Sequence, residues 1–142
     1  MITGFAHTGF VVRDLASMTA FYRDVVGLAV QVEFEAKGEF FSKVLGFADP
    51  HAKVAFVGKE GATHSLELIQ YVNPRGGDAH WAKNDAGATH LCFNVDDAEA
   101  TYRRLSEGGA RFVSPPVAAG ASKVCLAQDP EGNWIEFVER AG

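Results

Sequence analysis

The amino-acid sequence predicts an α+β fold in which two βαβββ modules form a shared curved-sheet cleft. The main observation is a duplication: segments 6–14 and 89–97 each carry a histidine at the second position and an aspartate at the last. A helical pattern that ends at glycine follows each copy. Each module then closes with a strand that has one glutamate among apolar residues, Glu67 in the first and Glu136 in the second.

The repeat also sets the expected organisation of the chain. We expect residues 1–142 to form a single domain, with module 1 over about 1–72, a connector over about 73–87 and module 2 over about 88–142. The connector is rich in glycine and polar residues, which favours a loop. A small sheet with its helix on one face leaves the other face uncovered, so the ligand cleft is expected on the side away from the helices.

The pattern of module 1 predicts one long helix, one short helix and four strands. Asp14 is a suitable N-cap, and the apolar stripe that follows predicts a helix ended by Gly27. A short extra helix is predicted over 40–45, where Gly46 ends it. Alternation of apolar and polar side chains predicts strands over 4–13, 28–37, 52–59 and 63–72.

Module 2 repeats this order. A helix is predicted over about 97–107, where Asp96 and Glu99 have the spacing of a capping box. The segment 129–132, Asp-Pro-Glu-Gly, has the composition of a tight turn. Strands are predicted over 88–95, 110–114, 121–128 and 132–139.

The composition argues against several classes of function. The net charge is −5 and lysines and arginines do not cluster, so neither a nucleic-acid surface nor an anionic-membrane surface is expected. No apolar run approaches the roughly 18 residues of a membrane span, and the N-terminal pattern is not that of a signal peptide. A cytoplasmic location is therefore expected, and Cys92 and Cys125 are both predicted to be buried, reduced thiols.

Strand alternation directs four polar side chains into the predicted cleft: His7, Glu67, His90 and Glu136. In three of their strands the opposite face is the more uniformly apolar one and suits the helix-packed side. Two carboxylates buried together without a cation would be costly, and a divalent metal ion removes this cost. Two neutral imidazoles and two carboxylates balance its charge, and such donors suit Zn, Ni, Co, Mn or Fe. These four residues are therefore the predicted metal ligands.

Several segments carry a family resemblance: His7 with 21–28, then 66–68, 90–97 and 129–136. Through them essentially the whole chain resembles the vicinal-oxygen-chelate superfamily. This superfamily includes glyoxalase I, methylmalonyl-CoA epimerase, bleomycin-resistance proteins and extradiol dioxygenases. The resemblance is closest to the glyoxalase I and epimerase branch, because that branch uses four ligands at the matching strand positions. The dioxygenases lack a carboxylate at the position of Glu67.

The resemblance implies a metal-dependent lyase or isomerase, such as an epimerase, that removes a proton α to a carbonyl of a small-molecule substrate. The divalent metal would stabilise the resulting enediolate or enolate. Glu136 is implied as the base, with Glu67 as its symmetry-related alternative. Paired subunits are common among small members of the superfamily, so a homodimer is expected by analogy.

Two other functions stay open at this point. One is an Fe(II) extradiol-type dioxygenase that uses His7, His90 and Glu136. The other is a small-molecule-binding homodimer of the bleomycin-resistance kind, which needs no metal. The presence of all four candidate ligands favours neither of them.

The sequence defines other substrate contacts less well. Arg13, Arg23 and Lys123 are available cations, but none is marked as an anchor for the carboxylates of glutathione. Trp81 in the connector either covers the cleft or lies at a subunit interface. His64 is predicted to face away from the cleft, because it stands at an odd spacing from the strand glutamate that follows it.

Overall fold

The computed structural model describes residues 1–78 and 81–141. They form two compact units, Met1–Asp78 and Ala79–Gly142. Each unit has its own β-sheet with a helix packed against it. The predicted α+β class with two repeated sheet units is confirmed.

The first unit is a four-stranded sheet with two helical segments beside its strands. Its strands are β1 (His7–Val11), β2 (Ala29–Lys37), β3 (His51–Gly58) and β4 (Ser65–Asn73), in the order β1-β4-β3-β2. Strand β1 is parallel to β4, and the other two pairings are antiparallel. Helix α1 (Leu15–Ala20) continues directly into a π-helical segment (Phe21–Val26), and α2 (Glu39–Leu45) follows β2.

The ends of the first helix follow from the sequence as predicted. The Asp14 carboxylate accepts a hydrogen bond from the Ser17 N–H at 3.0 Å, which satisfies one of the donors left free at a helix start. Gly27 ends the helical segment with φ of 90°, a left-handed conformation that favours glycine. The short extra helix is also confirmed, and Gly46 ends it in the same way.

The second unit is a five-stranded sheet with one helix. Strand β5 (His90–Val95) lies parallel to β9 (Trp134–Arg140), and α3 (Ala98–Glu107) follows β5. The remaining strands are β6 (Arg111–Phe112), β7 (Val117–Ala119) and β8 (Ser122–Gln128). The sheet order is β5-β9-β8-β6, and β7 also pairs with β8.

Two local predictions in this unit were wrong. The N-cap of α3 is Asp97, one residue later than the predicted box of Asp96 and Glu99. Asp97 has an extended backbone, and its carboxylate accepts the Ala100 N–H at 2.8 Å. The predicted strand over 110–114 shortens to β6, and the unpredicted β7 forms after the two prolines that interrupt the chain there.

The core of each unit lies on the face predicted for helix packing. In β4 the side chains of Leu66 and Leu68 are buried, and in β9 those of Ile135 and Phe137 are buried. The residues between them on the same strands are only partly buried. Burial of a large aliphatic or aromatic side chain contributes about 1.5–3 kcal/mol. This alternation therefore fixes which face of each strand is left for the site.

The turn before β9 is held by a buried carboxylate. Asp129 accepts hydrogen bonds from the Glu131 N–H at 3.0 Å, the Asn133 N–H at 2.9 Å and the Asn133 side-chain amide at 2.8 Å. The predicted tight turn is confirmed, and its carboxylate fixes where β9 begins.

Replacing Asp129 with alanine is expected to lower the free energy of unfolding by about 2–4 kcal/mol, because several partly buried donors lose a charged acceptor. The matched control is Asp96→Ala, since Asp96 is exposed and does not cap the helix. That change is expected to stay within about 0.5 kcal/mol. Urea unfolding of both variants checks the prediction, and equal losses would contradict it.

No helix among residues 1–78 and 81–141 is long and apolar enough to span a membrane.

Candidate functional site

The first unit brings His7 and Glu67 together. The parallel register of β1 and β4 pairs Gly9 with Glu67, so His7 lies on the same face two residues before that pair. His7 Nε2 is 3.6 Å from Glu67 Oε2. The imidazole packs edge-on against Phe56, with ring centroids 5.2 Å apart, and Phe56 is the β3 residue paired with Glu67.

The second unit brings His90 and Glu136 together in the same way. Strand β5 pairs Cys92 with Glu136 in parallel, and His90 precedes that pair by two residues. His90 Nε2 is 3.0 Å from Glu136 Oε2. The residue paired with Glu136 on β8 is Leu126, which takes the position that Phe56 has in the first unit. The duplication in the sequence is therefore a duplication of side-chain geometry.

The residue beside each glutamate differs between the units. A Cβ atom at Gly9 would lie 3.2 Å from Glu67 Oε2, so glycine leaves room for that carboxylate. Cys92 occupies the matching position, and it is exposed rather than buried as predicted, because it lies on the face of His90 and not on the core face. Partial burial and then the neighbouring negative charge of Glu136 raise the pKa of the Cys92 thiol.

The other cysteine behaves as predicted. Cys125 is a free, buried thiol on the core face of β8, where it pairs with Phe137. Burial, followed by the negative charges of Glu99 and Glu136, raises its pKa to about 11. A neutral thiol in this position acts as a small apolar core residue.

The two pairs remain accessible to a ligand. The His7 and His90 side chains are 44% and 54% exposed, and Glu67 and Glu136 are 21% and 26% exposed. Among residues 1–78 and 81–141, no group of three or more His, Cys, Asp and Glu side chains is arranged to hold a metal ion. Each pair by itself offers one nitrogen and one oxygen donor, and both donor types suit divalent metals.

His64 contacts the face of β1 opposite His7, as its strand spacing predicts. Its Nε2 lies 2.9 Å from the Thr8 hydroxyl. Thr8 is the strand neighbour of His7 and points to the opposite face of β1.

The site of the first unit continues into an apolar aromatic surface. Phe34 stacks against Phe56 and against Phe41, with ring centroids 6.4 Å apart in both cases. Phe41 belongs to α2 and packs on the buried cluster that includes Val54. The first pair therefore has aromatic rings on one side of it.

The second unit holds a cavity of about 260 Å³ next to its His–Glu pair. Its lining comes from the connector and from the strands of the pair: Lys83, Ala88, Thr89, His90, Leu126, Trp134 and Glu136. Lys83 Nζ lies 5.7 Å from the centre of the Trp134 ring, within the range of a cation–π contact. Sequence reasoning missed this lysine, because no periodic pattern gives the position of a connector side chain.

The cations considered from the sequence are already paired. Arg13 lies 2.9 Å from Asp78, Arg23 lies 2.6 Å from Asp24, and Lys123 lies 3.9 Å from Glu139.

Trp81 is also defined by this part of the connector. Its carbonyl accepts a hydrogen bond from Trp134 Nε1 at 3.2 Å, and its side chain is exposed. This contact ties the connector to the start of β9. The two roles predicted for the Trp81 ring, as a cover of the cleft or as part of an interface, stay predictions.

The family model of the Glyoxalase/Bleomycin resistance protein/Dioxygenase superfamily matches residues 4–137, so the chain belongs to this superfamily. It is 26% identical to the uncharacterized protein YwbC of Bacillus subtilis, over 94% of this chain and 95% of that protein. It is 28% identical to lactoylglutathione lyase of Pseudomonas aeruginosa, over 95% of this chain and 81% of that one. A solved glyoxalase family protein from Bacillus cereus shares the fold, with a TM-score of 0.92 and 22% identity, over 100% of this chain and 97% of that chain.

Proposed function

We propose that the chain is a metal-dependent lyase or isomerase of the glyoxalase type. Its reaction removes a proton from the carbon next to a carbonyl group of a small substrate. The observation that carries this proposal is the repetition of one His–Glu pair at equivalent strand positions in both units. The relative named lactoylglutathione lyase supports the same class of enzyme.

The proposed ligands of a single divalent metal ion are the two pairs together: His7, Glu67, His90 and Glu136. Neighbouring donor atoms bound at about 2.0–2.2 Å to one ion are separated by about 3.3–3.6 Å at the tetrahedral angle and by about 2.8–3.1 Å at a right angle. The 3.6 Å separation in the first pair fits the tetrahedral range, and the 3.0 Å separation in the second pair fits the right-angle range. Two neutral imidazoles and two carboxylates would also balance the charge of the ion.

In the proposed mechanism a carboxylate accepts the substrate proton. A divalent cation at these donors supplies positive charge next to the substrate carbonyl, which makes the adjacent C–H more acidic. Glu136 is the proposed base, because its partly exposed carboxylate lines the cavity of the second unit. His90 Nε2 lies 3.0 Å from this carboxylate, so the two side chains present neighbouring donor atoms. Glu67 is the symmetry-related alternative.

The other candidate functions account for fewer of these side chains. A three-ligand Fe(II) dioxygenase site would use His7, His90 and Glu136 and leave the pairing of Glu67 with His7 without a role. A binding protein without metal would need neither pair. The second carboxylate therefore supports the lyase or isomerase proposal.

Isotope exchange tests the proposal. Protein loaded with each candidate metal is incubated in deuterated water with α-hydroxy-ketones, hemithioacetals and acyl-CoA thioesters, and deuterium uptake is followed by NMR. We expect metal-dependent exchange at the carbon next to the carbonyl of at least one substrate class, and loss of exchange when a chelator is added. No exchange with any metal, together with oxygen uptake in the presence of iron and a catechol, would favour the dioxygenase instead.

A further inference from the structure

The cavity of the second unit contains a cation that the proposed reaction does not use. Lys83 lines this cavity together with His90 and Glu136. Within residues 1–78 and 81–141 no ion pair engages the Lys83 ammonium, although the Glu136 carboxylate lines the same cavity. Its described contact is the face of the Trp134 ring.

The connector around Lys83 is held in place by hydrogen bonds. The Asp85 carboxylate accepts the Ala82 N–H at 2.8 Å, and two further turn bonds link Asp85 with Ala82 and with Ala88 at 3.0 Å each. The indole of Trp134 contributes twice, because its N–H binds the Trp81 carbonyl while its face lies beneath the ammonium of Lys83. The backbone around Lys83 therefore forms hydrogen-bonded turns, and the exposed Lys83 side chain lies at the cavity.

The charge of the site indicates what this lysine binds. A divalent metal ion with two carboxylates and two neutral imidazoles has no net charge, and the chain as a whole carries −5. Lys83 is the lysine or arginine among the residues that line this cavity, so its ammonium is the side-chain group there that attracts an anion. The volume of about 260 Å³ is below the roughly 300–1,000 Å³ of pockets for drug-sized ligands, which favours a small molecule.

We infer that Lys83 is a substrate-binding residue that pairs with an anionic group, a carboxylate or a phosphate, of a small carbonyl substrate whose reacting end lies at His90 and Glu136. This inference rests on the proposed function and specifies its substrate class. The Trp134 ring forms the wall along which the substrate lies between the ammonium and the His–Glu pair.

Two matched pairs of probes test the inference by calorimetric titration. Hydroxypyruvate and hydroxyacetone differ by a carboxylate in place of a methyl group, and dihydroxyacetone phosphate and dihydroxyacetone differ by a phosphate. We expect wild-type protein to bind at least one anionic probe about tenfold or more tightly than its neutral partner. The anionic probe that binds more tightly identifies whether the carboxylate or the phosphate is the natural group.

Lys83→Met keeps apolar packing on the Trp134 ring and removes the charge. We expect it to weaken the preferred anionic probe by roughly 10- to 100-fold, the loss typical of a hydrogen bond to a charged group, and to leave the neutral probe within about twofold. Lys83→Arg should retain most of the preference, and the exposed turn residue Lys59, changed to Met, is the control. Equal weakening of both probes by Lys83→Met, or a wild type that does not prefer the anion, would overturn the inference.

Metal content is measured before each titration, so that a failure of the proposed metal-dependent function can be distinguished from a failure of the role inferred for Lys83. Protein that takes up no divalent metal refutes the proposed function. In that case the same titrations on metal-free protein still decide the role of Lys83. An anion preference that Lys83→Met abolishes supports the role, and no preference overturns it.

Discussion

Replacing either His7 or His90 with alanine is expected to abolish tight metal binding and, with it, metal-dependent exchange. Each histidine supplies one of the two proposed nitrogen ligands. Loss of a direct ligand should exceed the roughly 10- to 100-fold loss in metal affinity that follows removal of a group merely supporting a ligand. Competition with a fluorescent zinc chelator measures the affinity of each variant.

The matched control is His64→Ala, which removes an imidazole from the same unit but from the opposite face of the sheet, where it contacts Thr8. It should leave metal affinity within about twofold. His7→Ala and His90→Ala should lose metal affinity to similar extents. If His7→Ala kept half of the metal at wild-type affinity, each pair would be binding an ion of its own, and the four-ligand proposal would be wrong.

The second large effect is expected at Glu136. In Glu136→Gln the amide oxygen can still act as a weaker metal ligand, but the side chain can no longer accept the substrate proton. Deuterium exchange should therefore fall by about 10²–10⁴-fold, the usual contribution of a general base, while part of the metal is retained. NMR of the exchange reaction and metal analysis of the same sample separate the two effects.

Glu67→Gln is the comparison for that experiment, because Glu67 holds the equivalent position in the first unit. Glu67→Gln should lower metal affinity, but it should retain a larger fraction of the wild-type exchange rate per bound metal ion than Glu136→Gln does. If Glu67→Gln loses exchange and Glu136→Gln retains it, the base is Glu67. If neither variant loses exchange at full metal occupancy, proton transfer belongs to another group.

Much of the fold could be predicted because the strands have one apolar face. The alternation around Glu67 and Glu136 assigns Leu66, Leu68 and Ile135 to the core, and all three are buried. The helix stops at Gly27 and Gly46 were also predictable, since both require a left-handed backbone. The pairing of each histidine with its glutamate follows from the same face rule together with the repeat.

Other features depend on contacts that alternation does not encode. Asp96 and Asp97 are both good N-caps by residue type, and the cap is Asp97 because only its carboxylate reaches the Ala100 N–H. The burial predicted for Cys92 from its residue type was wrong, although alternation already places Cys92 on the exposed face with His90. Lys83 lies in an irregular segment, and its position depends on the Trp134 ring, about fifty residues later in the chain. The single-domain organisation and the homodimer stay predictions.

If the two His–Glu pairs hold one metal ion, each chain binds a single ion tightly, and the number of tightly bound ions per chain decides between this arrangement and its alternatives. Metal-free protein is titrated with zinc, excess metal is removed, and zinc and protein are quantified in the same sample by elemental analysis. One zinc per chain, falling to near zero in both His7→Ala and His90→Ala, is the predicted result. Two zinc ions per chain, or none that survives removal of the excess, would contradict it.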